Sequence, residues 1–248
     1  MNNKKTEMTL IDHIEELRRR LLIALIALAV GVTASLFFGE KIVGFLTIPI
    51  GGIAKLQSIE ITENLGVYMR VSLLAGVILA FPVIIYEILL FILPGLKPSE
   101  KKFVIFSIPL ATLFFVGGVA FAFSVMLPAA LPFLTNFLGV QTNPRLSSYI
   151  SFITNLIFWV GVCFEMPLFI YVLARFNLVT PHSMLSFWRQ AIVLIAILAA
   201  VITPTVDPVN MSLMMAPLIV LYFISILFAW LAGRGRKSES EPEPEQEG

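Results

Sequence analysis

The chain has 248 residues, of which 58% are hydrophobic and only 13% charged; a soluble domain carries about a quarter charged residues, and with a mean hydropathy of +0.93 an ordinary soluble globular domain is excluded. The net charge of +1 has little meaning here, because position matters more than the sum; the basic residues stay near the ends of the long apolar runs and form no nucleic-acid-binding surface. A single cysteine, Cys163, excludes an internal disulfide framework.

The polar N-terminus is followed by an apolar run too long for the core of a cleavable signal peptide, so a retained membrane anchor is expected. Before that run, residues 9–20 have helical periodicity. Leu10, Ile14, Leu17 and Leu21 share a face, with Asp12, Glu15, Glu16, Arg19 and Arg20 mainly elsewhere. Thr9 and Asp12 stand at capping-box spacing. Two readings stay open: a surface helix that turns into the first span, or a charged helix end on which Glu16 and Arg20 pair at i, i+4 for about 0.3–0.5 kcal/mol.

A spanning helix needs roughly 20 apolar residues at about 1.5 Å each. Leu21–Phe38, Val71–Leu93, Phe103–Leu127, Tyr149–Leu173 and Met211–Leu231 meet that requirement. Ala191–Ile202 has 12 residues before Thr203 and Pro204, short enough to be re-entrant. With this segment counted as a sixth span and the N-terminus inside, the inner segments carry 13 Lys and Arg. The outer ones carry four: Lys41, Lys55, Arg70 and Arg145. That asymmetry supports six spans with both termini cytoplasmic. The expected fold is thus an all-α membrane protein with six transmembrane helices, the fifth and sixth short. It forms a single membrane domain over residues 1–232, with a disordered acidic tail at 233–248.

The outer loop 39–70 contains Pro49, Gly51 and Gly52 and is long enough to require ordered structure. The outer loop 128–148 holds Pro128, Pro132 and Pro144. In the inner loop, Pro94 and Gly95 end the second span, Ser99 suits an N-cap, and Glu100 falls in the first turn of the third span. A carboxylate is favoured there by the helix dipole. Pro82, Pro109 and Pro167 interrupt spans and predict curved helices. Pro167 in particular leaves the carbonyl of Cys163 without its helical partner.

Glu87 and Glu165 stand inside spans, each about 24 Å from the outer helix end. An acidic group at the bilayer centre costs about 3 kcal/mol by insertion scales. Each is therefore either a functional group facing a polar cavity or a protonated carboxyl in an interhelical hydrogen bond. Asp207, in the tight turn 203–210, suits a cap or turn position. There is no G-x-S-x-G, P-loop, H-E-x-x-H or G-x-G-x-x-G, so no catalysis, metal or cofactor is expected. A small proton-coupled secondary transporter using Glu87 and Glu165 is the alternative class, but it predicts a repeat symmetry that the chain lacks.

Four strings occur in order among the six spans: LIDHIEELRRRL, FILPGLKPSEKK, GVCFEMP and ITPTVDPVN. With them the chain resembles, over residues 8–232, the TatC family, the multispanning receptor of the twin-arginine protein translocase. The resemblance implies a multi-pass protein of a bacterial or archaeal-type cytoplasmic membrane, driven by the proton-motive force. It implies binding of twin-arginine signal peptides of folded precursors by Glu16, Arg18 and Arg20 in the entrance helix and by Phe91, Pro94, Leu96 and Glu100 at the first inner loop. A guanidinium fork suits a carboxylate where an ammonium does not, so Glu100 is expected as the main arginine acceptor and Glu16 as the second. The resemblance further implies that Glu165, together with Glu87, faces a concave groove at membrane depth and contacts single-span TatA/TatB-type subunits. Contact with membrane lipid and self-association are implied too. Asp207 and Pro49 match functional positions in the outer loops, and the short fifth and sixth spans imply local bilayer thinning.

Overall fold

The computed structural model describes residues 10–92, 98–136, 144–202 and 208–237, and among these the chain is helical with no strand. Helix α1 spans Leu10–Leu36 without a break. The amphipathic entrance segment is therefore the first two turns and more of the span itself, not a separate surface helix. No glycine or proline stands between Leu10 and Val30 to end it. Thr9 and its capping box lie outside the described residues.

After α1, the short helix α2 (Gly39–Thr47) supplies the order expected of the first outer loop. It is closed by a tight turn, Ile48–Ile50, in which Pro49 sits near the start. Gly51 and Gly52 then adopt φ of +93° and +99°, a region that favours glycine. Their amides donate to Ile48 O and Thr47 O at 2.9 Å, which reverses the chain. Helix α3 spans Glu63–Ile92 and begins eight residues ahead of the apolar run that signals it.

Helix α4 begins at Pro98, so Ser99 lies inside it rather than capping it, and continues to Phe121. Pro82 and Pro109 leave α3 and α4 unbroken. A single turn of π-helix follows at Ala122–Met126 and leads directly into α5 (Leu127–Asn136), which holds Pro128 and Pro132. Much of the second outer loop is therefore a helical extension of the third span.

Helix α6 (Leu146–Phe164) and helix α7 (Met166–Arg175) form one long span divided at Glu165, two residues before Pro167, as the missing proline amide predicts. Helix α8 (Pro181–Ser186) is opened by a reciprocal cap between Thr180 and Ser183. Helix α9 (Trp188–Ile202) has 15 residues, about 22 Å, and α10 runs from Pro208 to Lys237. Among the described residues, five helical stretches are long and apolar enough to cross a membrane, with α9 as a shorter apolar helix. The molecule is a multi-pass membrane protein.

The helices pack through small residues. Helices α1 and α3 run antiparallel, and a methyl added to Gly76 would come within 2.7 Å of the Val32 backbone. Close backbone approach of this kind is how membrane helices associate without a hydrophobic driving force. Helices α4 and α6 meet at Gly118 and Gly161, with the fully buried Phe115 beside Gly161 and stacked on Phe81 at 3.7 Å. Helix α10 packs on α7 and α9, and the buried Tyr222 hydroxyl donates to Met184 O at 2.6 Å.

Candidate functional site

Where α1 begins and α3 finishes, five side chains from the two helices form one cluster. His13, Glu16 and Arg20 recur at helical spacing on α1, and Glu87 and Phe91 are one turn apart on α3. The rings of His13 and Phe91 stack with centroids 4.3 Å apart. Arg20 Nη1 donates to Glu87 Oε2 at 2.9 Å, and Arg20 Nη2 donates to Glu16 Oε1 at a longer 3.4 Å. The Glu87 side chain is 7% exposed, and those of Glu16 and Arg20 are 18% and 24% exposed. Two acceptors thus face one guanidinium. Glu16 Oε2 and Arg20 Nε are buried without a hydrogen-bond partner among the described residues.

Chain connectivity brings a third carboxylate to this end. Helix α3 stops at Ile92 and α4 starts at Pro98, so Glu100 is in the first turn of α4. Its side chain, and Pro94 and Leu96, lie outside the described residues, as does Asp207. Arg18 is exposed on α1. Glu87, expected beside Glu165 in a groove, is held instead by Arg20 in the α1–α3 cluster.

Glu165 sits at the division between α6 and α7, with Oε1 buried and unpartnered among the described residues. Its neighbour Phe164 lines an apolar cavity of about 440 Å³, lined also by Leu213, Pro217 and Leu221 of α10 and by Val125 and Met126 of the π turn. A carboxyl oxygen without a partner at this depth is suited to accept a hydrogen bond from a polar side chain of another helix. Cys163, two residues before it, is a free thiol.

The opposite end is built around Glu63, which hydropathy passes over because Glu63, Asn64 and Arg70 dilute the apolar signal at the start of α3. Its side chain is 1% exposed and pairs with Arg145 at 3.1 Å, while Arg145 also pairs with Glu60 at 2.7 Å. Glu63 Oε2 accepts from the amides of Ile59 and Glu60, and Oε1 accepts from the Ser147 amide at 2.7 Å. Arg145 precedes α6 and gives it no side-chain cap; a carboxylate from another helix caps it instead. Glu60 and Glu63 hold the Arg145 guanidinium more firmly in its charged form. Gln57 and Arg145 share a backbone bridge, with the Leu146 amide donating to Gln57 O at 2.9 Å. Two tyrosines complete the cap: Tyr149 donates to Leu46 O at 3.0 Å, and Tyr68 donates to Leu36 O.

Residues 12–217 match the family described as Sec-independent protein translocase protein (TatC). A TatC of Carboxydothermus hydrogenoformans is 35% identical over 225 residues, covering 90% of this chain and 93% of that one. The Aquifex aeolicus TatC is 36% identical over 239 residues, covering 93% and 98%. The chloroplastic protein of Arabidopsis thaliana is 34% identical, with 92% of this chain aligned to 68% of that one. The crystal structure of a twin-arginine translocase receptor, TatC, superposes with a TM-score of 0.79 at 35% identity, covering 90% of this chain and all of that one. Fold and sequence agree over nearly the whole length: the chain belongs to the TatC family of Sec-independent protein translocases.

Proposed function

We propose that the chain is the receptor subunit of a twin-arginine translocase. It lies with both termini cytoplasmic and binds arginine-pair signal peptides at the end formed by α1 and the α3–α4 connection. The observation that carries this reading is the cluster at that end, where Glu16 keeps an oxygen unpartnered among the described residues, one turn along α1 from His13, whose ring stacks on Phe91.

In an extended peptide, neighbouring arginines point apart, so one carboxylate does not serve both. Glu100 accepts the first guanidinium and Glu16 the second, and Arg18, Arg20, Phe91, Pro94 and Leu96 flank the peptide. Hydrogen bonds to a charged group are worth about 1.5–3 kcal/mol each, enough for a 10- to 100-fold preference per arginine. Lysine carries the charge but not the planar fork. Single-span TatA/TatB-type subunits dock at Glu165, whose open oxygen accepts from a polar residue on the partner helix. Pro49 and Asp207 support the outer face. The charge asymmetry of the connections supports the orientation, and the 15-residue α9 supports a bilayer thinned around it.

Photo-crosslinking from position 100 to peptides bearing Arg-Arg or Lys-Lys tests the receptor. Strong labelling by the Arg-Arg peptide alone is expected, and equal labelling by both sinks the reading.

A further inference from the structure

The receptor reading leaves Glu87 without a task. Glu87 is nearly buried, lies on the face of α3 that meets α1, and holds Arg20 by the shorter of that residue's two contacts, 2.9 Å against 3.4 Å to Glu16. Glu16 and Arg20 are four residues apart on one helix, a spacing at which a carboxylate and a guanidinium readily close on each other. They meet through a single contact of 3.4 Å. One oxygen of Glu16 touches Arg20 at long range, and the other is buried with no partner among the described residues.

The α1–α3 contact gives Glu87 little freedom to let Arg20 go. The two helices are locked by the backbone approach at Gly31 and Gly76 on one side and by the His13–Phe91 stack on the other. Glu87 lies between these fixed points, one turn from Phe91. Among the described residues the cluster holds two carboxylates and one guanidinium. It therefore has capacity for one further cation without losing the one it has.

We propose that Glu87 is a positioning residue for the signal-peptide site: it draws Arg20 toward α3 and so keeps the second oxygen of Glu16 open for an incoming arginine. This rests on the receptor reading and assigns Arg20 an indirect part in it, as an internal cation that stands beside the acceptor without filling it. Once Glu87 is neutral, Arg20 swings back along its own helix, closes on Glu16 with both amino groups, and competes with the peptide.

The test measures binding of fluorescent Arg-Arg and Lys-Lys signal peptides to the detergent-solubilised full chain by anisotropy. Wild type should prefer Arg-Arg; failure here overturns the receptor reading itself, and this inference with it. Given that preference, E87Q should weaken Arg-Arg binding by about 10-fold, the scale of one charge-assisted contact. The loss should run through Glu16: in the E16Q background, E87Q should cost no more than about 2-fold. E87D, one methylene shorter, should show a smaller loss that E16Q likewise absorbs, and it decides the matter if E87Q does not fold. Unchanged affinity in E87Q overturns the proposal. So does a loss in E87Q that persists undiminished in the E16Q background, which marks Glu87 as merely structural.

Discussion

The two ends of the molecule carry the same charged parts and differ in how their carboxylate oxygens are met. Each has one arginine bridging two glutamates: Arg20 with Glu16 and Glu87 at one end, Arg145 with Glu60 and Glu63 at the other. Around Glu63 both oxygens are saturated, because three backbone amides donate to them in addition to the arginine. Around Glu16 one oxygen is left without a partner among the described residues. A saturated network fixes structure, because breaking it strands buried polar groups. An unsaturated one keeps an acceptor to spare, which is what the proposed receptor site needs. The charge inventory alone does not separate the two ends; the count of unmet acceptors among the described residues does.

The largest effect that would break this comparison is expected at the closed end. Glu63→Ala strips the cap from α6 and leaves Arg145 facing Glu60 alone. The apparent melting temperature in detergent should fall by about 5–10 °C. A shift below 2 °C would show the clamp to be decorative. Next in size is the helix crossing that sets the open end. Gly76→Ala places a methyl against the Val32 backbone, an overpacking worth about 1–3 kcal/mol. Because Arg20–Glu87 spans the same helix pair, Gly76→Ala should also weaken peptide binding. Lost stability with unchanged binding would uncouple the crossing from the site.

At the open end itself, Glu16→Ala should cut affinity for the Arg-Arg peptide by about 10-fold while leaving the melting temperature within about 2 °C. A large thermal loss instead would make Glu16 a second clamp. Glu165→Ala belongs to neither end: co-purification of single-span partners should fall while peptide affinity stays within about 2-fold. Loss of peptide binding with partner capture intact would reverse the two roles. The smallest effect is expected from Tyr149→Phe, which removes one hydrogen bond to Leu46 O and should cost about 1 kcal/mol of stability.

The helical membrane architecture was legible in the sequence because apolar runs and basic flanks report on the bilayer, and the bilayer is the dominant solvent. The division at Glu165 was legible because Pro167 has no amide to donate. Partnership across helices was not. Helix α3 is apolar on all sides and so shows no stripe from which to read its rotation. Whether Glu87 faces α1 or a groove beside Glu165 depends on that rotation. The continuity of α1 was hidden because its first turns are charged and the rest apolar, which suggests two environments although the backbone runs straight through. Glu63 was missed for a related reason. A polar residue at a helix start reads as solvated loop, and its burial depends on Arg145, 82 positions away.

The π turn at Ala122–Met126 bears on how this chain tolerates insertions and deletions. A π turn accommodates one residue more than the α-helix around it. Each residue of a helix turns the chain by about 100°. Deleting one residue within 122–126 would restore regular hydrogen bonding and leave the third span locally more ideal. Because the wide turn takes up its extra residue without turning the chain further, α5 would keep its facing, with Leu131 buried and Leu134 and Thr135 still lining the cavity against α6. The irregular turn thus holds one residue of slack within a continuous helix. A single-residue deletion should be tolerated at 122–126, whereas in the regular helix on either side it would swing everything beyond by about 100°.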